Sequence, residues 1–162
     1  MTEFHLSELH RNCLAALIPL LNAVERPWAI TGSLGLALQG FPCQPHDIDL
    51  ICQSADVPAL QKALQPWLLK PASLSAHEQI RSELARLEVL GCPVELMGGL
   101  EVRQPDGSWQ PPPPLAAITR WVACPGWLLP VLDPLHELQS YRLLGRTEKV
   151  TAIQNWLNQQ PP

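Results

Sequence analysis

The sequence predicts an α/β (α+β) domain built on a small mixed β-sheet with flanking helices. Three observations predict it. Apolar periodicity alternates between helical and strand spacing along the chain. A strand–glycine–helix unit stands near the N-terminus. A second strand, with two carboxylates on one face, follows it. The order reads helix, strand, helix, strand, helix, strands, helices, which suits a mixed sheet covered by helices. The chain has 162 residues, 46% of them hydrophobic. That suffices for one core, and a single domain over 1–162 is expected, with a core at about 28–100 and a helical part at about 130–158.

The first element is a helix over Leu6 to Val24, with Leu6, Leu9, Cys13, Leu14, Leu17, Ile18 and Leu21 at helical spacing. Ser7 is its candidate cap, and Arg26-Pro27 stops it. Pro19 falls inside, where proline kinks or splits a helix. Trp28 to Thr31 reads as a short buried strand. Gly32-Ser33 is a turn, and Leu34 to Gln39 a short helix ended by Gly40. Asp47 to Cys52 reads as a strand, with Asp47 and Asp49 on one face and Ile48 and Leu50 on the other. A helix is expected over Ala55 to Leu69, with Pro66 as an earlier stop. Ile80 to Leu90 and Pro93 to Met97 read as two strands joined at Gly91-Cys92, although Ser75 to Leu87 also carries some helical periodicity. Pro105-Asp106-Gly107 is a turn signal. Gln110 to Pro114 is a stiff polyproline stretch bracing a surface crossing. Two helices, Pro134 to Leu144 and Thr147 to Leu157, close the chain around Gly145.

Bulk properties exclude some functions. The net charge is -4, and no Lys/Arg run interrupts it, so duplex DNA is not an expected partner. No segment reaches the roughly 18 apolar residues of a membrane span. The first residues lack the basic start of a signal peptide. The five cysteines are dispersed and form no CxxC, as expected of free thiols in a reducing, cytoplasmic setting. Of the six tryptophans, Trp109, Trp121 and Trp127 are read either as core filling or as an interface.

The chemistry lies in the first half. Asp47 and Asp49 stand two residues apart on a strand, so their Cα atoms are roughly 7 Å apart and both side chains face one way. Such a pair can converge on hard cations such as Mg²⁺, two of which lie about 3.5–4 Å apart in two-metal sites. Upstream, Gly32 lets backbone approach a phosphate, and the following helix start offers N–H groups and a positive dipole end. Ser33 adds a hydroxyl, or simply caps the helix.

Together, Ile30-Thr31-Gly32-Ser33 and His46-Asp47-Ile48-Asp49-Leu50 resemble the DNA polymerase beta-like nucleotidyltransferase superfamily. The resemblance extends over about residues 28–157 to its small bacterial and archaeal members, near the antibiotic-modifying nucleotidyltransferases. It is carried further by Ile80-Arg81-Ser82, Val94-Glu95-Leu96-Met97-Gly98, Asp106-Gly107-Ser108-Trp109, Glu137-Leu138-Gln139-Ser140-Tyr141 and Leu144-Gly145-Arg146-Thr147-Glu148-Lys149.

The resemblance implies an enzyme that moves a nucleoside monophosphate from a nucleoside triphosphate, ATP by default, to an acceptor hydroxyl, with two Mg²⁺ ions. Asp47, Asp49 and Glu95 are its implied catalytic and metal-binding residues, with Glu88 the alternative to Glu95. Gly32 and Ser33 would touch the outer phosphates. Arg81, Arg146 and Lys149 are candidate nucleotide contacts, and His46 a candidate neighbour. The acceptor is open among a small molecule, an RNA end and a protein. Two features depart from the pattern: the loop Phe41 to His46 has no arginine, and the third carboxylate is Glu where Asp is commoner. A nucleotide-binding or antitoxin-like module of the same fold, with little or no catalysis and a toxin as candidate partner, is therefore the alternative reading, with a ligand-free structural domain as a third.

Overall fold

The computed structural model describes residues 4–161. Its first helix, α1 (Glu8–Ala23), is capped by Ser7, whose hydroxyl accepts from the His10 N–H at 3.1 Å. Pro19 sits inside this helix without splitting it. The buried stripe of α1 holds Cys13, Leu14, Leu17 and Leu21. It lies in the main core with Ile48, Leu50, Val94 and Leu96.

The sheet has eight strands. They are β1 (Trp28–Thr31), β2 (Ile48–Cys52), β3 (Leu68–Ala76), β4 (Ile80–Val89), β5 (Cys92–Arg103), β6 (Trp109–Gln110), β7 (Thr119–Cys124) and β8 (Trp127–Leu132). Their order across the sheet is β3-β4-β5-β2-β1-β8-β7, with β6 on β5. The sheet is mixed, because β2 runs parallel to β5 and β1 parallel to β8 while β1 and β2 are antiparallel. All four residues of β1 are buried, which suits a strand inside the sheet covered on both faces.

The helices α2 (Gly32–Leu38) and α3 (Val57–Ala63) follow β1 and β2, and α4 (Pro134–Leu143) and α5 (Thr147–Asn158) follow β8. A second cluster of Leu36, Phe41, Leu138, Tyr141 and Ile153 joins α2, α4 and α5. Phe41 meets Trp156 edge-on, with ring centroids 5.5 Å apart. This cluster holds the C-terminal helices against the glycine turn.

Several elements differ from the sequence reading. Asp47 precedes β2, which starts at Ile48. The expected long helix ends at Ala63, and Pro66 stands in a single 3₁₀ turn, Gln65–Trp67. Leu68 and Leu69 start β3, an edge strand that tolerates Pro71 because its outer side needs no ladder donor. Ile80 to Leu87 is strand throughout, since pairing with β5 overrides its weak helical periodicity. The hairpin β7–β8 turns at Pro125-Gly126, with Gly126 at φ 95°. All five cysteines are free thiols. Trp121 is 65% exposed, whereas Trp109 and Trp127 are half-buried beneath Arg81 and Arg11.

Candidate active site

Strand register builds the centre of the site. Thr31 lies opposite Asp49 on β2, Asp49 opposite Glu95 on β5, and Glu95 opposite Arg86 on β4. Directly opposed residues share a face, so these four side chains form one row across the sheet. Ile48 and Leu50 on β2, like Val94 and Leu96 on β5, turn the other way and are fully buried. The alternation Ile-Asp-Leu and Val-Glu-Leu thus locks each carboxylate to the functional face, because a one-residue slip would bury it in the core. Glu88, the alternative third carboxylate, is exposed, lies opposite Pro93 and stands two residues along β4 from the row, outside the cleft.

Gly32 follows directly at the end of β1. Its φ is 69°, and a Cβ here would collide with Asp49 Oδ2. Glycine is therefore required twice over, for the left-handed backbone and for the close approach. Ser33 lies in the first turn of α2, whose start has no side-chain cap.

The residue that sequence reasoning missed is Glu137 on α4. Its carboxylate is buried and accepts from the Gly32 N–H at 2.7 Å and from the Thr31 hydroxyl. The Gly32 N–H is thus engaged inside the protein, and the amides next in line belong to Ser33 and Leu34. Sequence gave a faint signal only, a Glu inside an otherwise apolar helix face, since its partners lie 105 and 106 residues away.

Negative charge accumulates here. Burial raises the Asp49 carboxyl to about 7, and Asp47, Glu95 and Glu137 add to the rise while Lys149 opposes it. Burial also raises Glu137, against its bonds from Thr31 and Gly32 and the pull of Lys149. Glu95 has a loose ion pair with Arg86 at 3.8 Å. Among the described residues, no three His, Cys, Asp or Glu side chains stand close enough together to clasp a metal ion.

A cleft of about 260 Å³ opens over this row. Gly32, Asp49, Glu95, Arg81 and Arg146 all line it, so the structure brings five of the eight expected residues to one cavity. Ser33 and Lys149 lie beside it and meet each other, Lys149 Nζ donating to Ser33 Oγ at 3.3 Å. Asp47 is outside the lining and reaches the site through its charge on Asp49. His46 is exposed and also outside it. The cations differ in how they are held. Arg146 and Lys149 sit 5.7 and 4.8 Å from the centre of the Tyr141 ring. Arg81 pairs with Glu101 at 3.1 Å and stacks on Trp109 at 4.4 Å.

This geometry agrees with comparisons to known proteins. The chain is 31% identical to a Thermotoga maritima protein assigned as a nucleotidyltransferase, covering 99% of this chain and 100% of that one with a TM-score of 0.78. It shares its fold with the lincomycin-bound lincosamide antibiotic adenylyltransferase LnuA, at 10% identity, 93% and 98% coverage and a TM-score of 0.58. Comparison with curated proteins finds no match. The pattern of the aminoglycoside-2''-adenylyltransferase family matches residues 13–151, most of the chain. With the strand–glycine–helix turn, the Asp-x-Asp strand and the carboxylate on β5 in place, the chain belongs to the aminoglycoside-2''-adenylyltransferase family, a nucleotidyltransferase family of the minimal type.

Proposed function

We propose that this protein transfers a nucleoside monophosphate from a nucleoside triphosphate, ATP by default, to an acceptor hydroxyl, with Mg²⁺. The observation that carries the proposal is the row Thr31, Asp49, Glu95, in which Asp49 feels the charge of three other carboxylates at the floor of a cleft. Lys149 and the loose Arg86–Glu95 pair offset only part of that charge, and a divalent ion would relieve the rest.

The donor set fits such an ion in chemistry: oxygen ligands on adjacent strands, beside a glycine that leaves room for phosphate. Asp47, Asp49 and Glu95 would hold it once their side chains close inward. Bound there, Mg²⁺ supplies charge neutralisation on the phosphates. The chain's own groups do the rest. Ser33 Oγ and the first-turn amides of α2 hold the outer phosphates. Arg81, Arg146 and Lys149 lie where negative charge builds on departing pyrophosphate. A Glu95 carboxylate oxygen takes the proton of the acceptor hydroxyl. The acceptor oxygen bonds the α-phosphorus, the bond to the β-phosphate oxygen breaks, and pyrophosphate leaves. Glu137 keeps the Thr31-Gly32 turn fixed, so reacting groups meet without reorganisation.

Calorimetric titration of ATP, GTP, CTP and UTP with and without Mg²⁺ tests this reading, beside the Asp47→Asn, Asp49→Asn double variant. Mg²⁺-dependent binding that the double variant loses is the expected result and identifies the base. No binding by folded wild type would sink the enzyme reading and favour the antitoxin-like module.

A further inference from the structure

Next to the carboxylate cleft lies a second chamber of about 170 Å³. The two adjoin, with Ile51, Leu100, Leu132 and Ser140 lining both. One wall of the chamber is the polyproline stretch Pro111–Pro113, and another is α4 through His136, Gln139 and Leu143. No Asp, Glu, Lys or Arg lines it. Its polar groups are neutral amides, a hydroxyl and an imidazole, set among proline rings and aliphatic side chains. Such a chamber takes an apolar body and fixes it with a few hydrogen bonds.

A polycation would not be at home here. Ammonium groups need carboxylates close by, since an unpaired charge taken out of water is costly. The neighbouring cleft has none to spare. Asp49 and Glu95 are the groups the nucleotidyl-transfer reading gives to metal, and Glu137 is consumed by Thr31 and Gly32. We infer that the chamber is the acceptor subsite and that it takes an uncharged, apolar-bodied small molecule whose hydroxyl points toward Asp49 and Glu95, not a polycationic aminosugar. The inference rests on the nucleotidyl-transfer reading, which supplies the reacting end of the site.

The test is ligand-observed NMR titration of the full chain with two probes. Phenyl β-D-glucoside is uncharged with one flat apolar face, and kanamycin is a polycation. The glucoside is expected to bind wild type at about millimolar concentration, and kanamycin at least about tenfold more weakly at 150 mM salt. Leu143→Trp fills the chamber and should weaken the glucoside at least about tenfold, with Mg²⁺-ATP affinity within about twofold of wild type. Gln139→Glu, an exposed change that folding tolerates, should shift the preference toward kanamycin by about fivefold or more. The inference is overturned by a glucoside that does not bind, by equal binding to the Leu143→Trp variant, or by kanamycin binding tighter than the glucoside to wild type. Glucoside binding together with an absence of Mg²⁺-ATP binding would overturn the acceptor role and the nucleotide reading, while leaving a small-molecule pocket.

Discussion

The anionic floor of the cleft and its cationic rim are built in opposite ways. Asp49 and Glu95 stand on interior strands, fixed by register and by buried neighbours on both sides. Glu137 is fully enclosed and bonded to the glycine turn. Arg81, Arg146 and Lys149 instead sit on β4, the α4–α5 turn and α5, resting on Trp109 or Tyr141, with Arg81 also paired to Glu101. Long side chains stacked on rings keep their mobility and lose little when they re-aim. The difference separates two tasks. The floor must hold like charges together at a cost to the fold, and so needs rigid support. On the nucleotidyl-transfer reading, the rim follows a ligand that brings its own charge.

The comparison is sharpest at Asp49. Asp49→Asn should lower Mg²⁺-ATP affinity at least about 100-fold, roughly 2.7 kcal/mol. The same variant should stabilise the metal-free protein. With its folded pKa raised to about 7 from a normal 3.8, Asp49 costs nothing below about pH 4. The cost grows as pH rises from there and levels off above about 7, because only the unfolded state ionises freely between. The variant should therefore match wild type in stability at pH 4 and exceed it at pH 8, by an amount on the order of 1–3 kcal/mol, read as a higher thermal midpoint at pH 8 only. Equal midpoints at both pH values would show that the floor carries no such burden.

Gly32→Ala comes next, at about 3 kcal/mol of lost stability, since it meets both the positive φ and Asp49 Oδ2. Urea unfolding measures it, and a loss below about 0.5 kcal/mol would mean that the turn is pliable. Glu137→Ala leaves the Gly32 amide and Thr31 hydroxyl without their acceptor and should cost about 2 kcal/mol. Glu137→Gln keeps an acceptor and should recover most of it, together with nucleotide affinity. Smallest is the rim. Lys149→Met and Arg146→Met should each raise the ATP dissociation constant about three- to tenfold, more at low salt than at high, with the thermal midpoint unchanged for Arg146→Met and slightly lowered for Lys149→Met, which loses its pull on Asp49 and Glu137. A rim change that unfolds the protein would erase the contrast between the two regions.

What was legible in the sequence follows the range of the interactions. The unit from Trp28 to Cys52 is written in local signals: a glycine needing positive φ, and alternation that fixes which face each aspartate takes. Flanking Val94 and Leu96 marked Glu95 as a strand carboxylate but did not separate it from Glu88, which Leu87 and Val89 flank alike; the register beside Asp49 does. The peripheral strands were less readable. Leu68 to Ala76 carries Pro71 and scarcely alternates, because an edge strand buries little. The β7–β8 hairpin had a Pro125-Gly126 turn signal, but its strands mix exposed Trp121 and Leu128 with buried Leu129 and Val131. The bond of Glu137 to Gly32 was not readable, since nothing local to α4 says what a buried carboxylate will meet across the core.

Helix α4 presents Glu137 to the glycine turn and, one residue earlier and two or more later, His136, Gln139 and Leu143 to the proline-walled chamber. One rigid rod thus touches both the glycine turn and the chamber. If the chamber takes the acceptor, a change in acceptor choice is channelled: a side-chain exchange on the chamber flank of the rod alters the chamber alone, whereas a change that rolls or slides the rod is felt at once at the glycine turn through Glu137. The proline wall, which carries no bond to that turn, is free of that restraint.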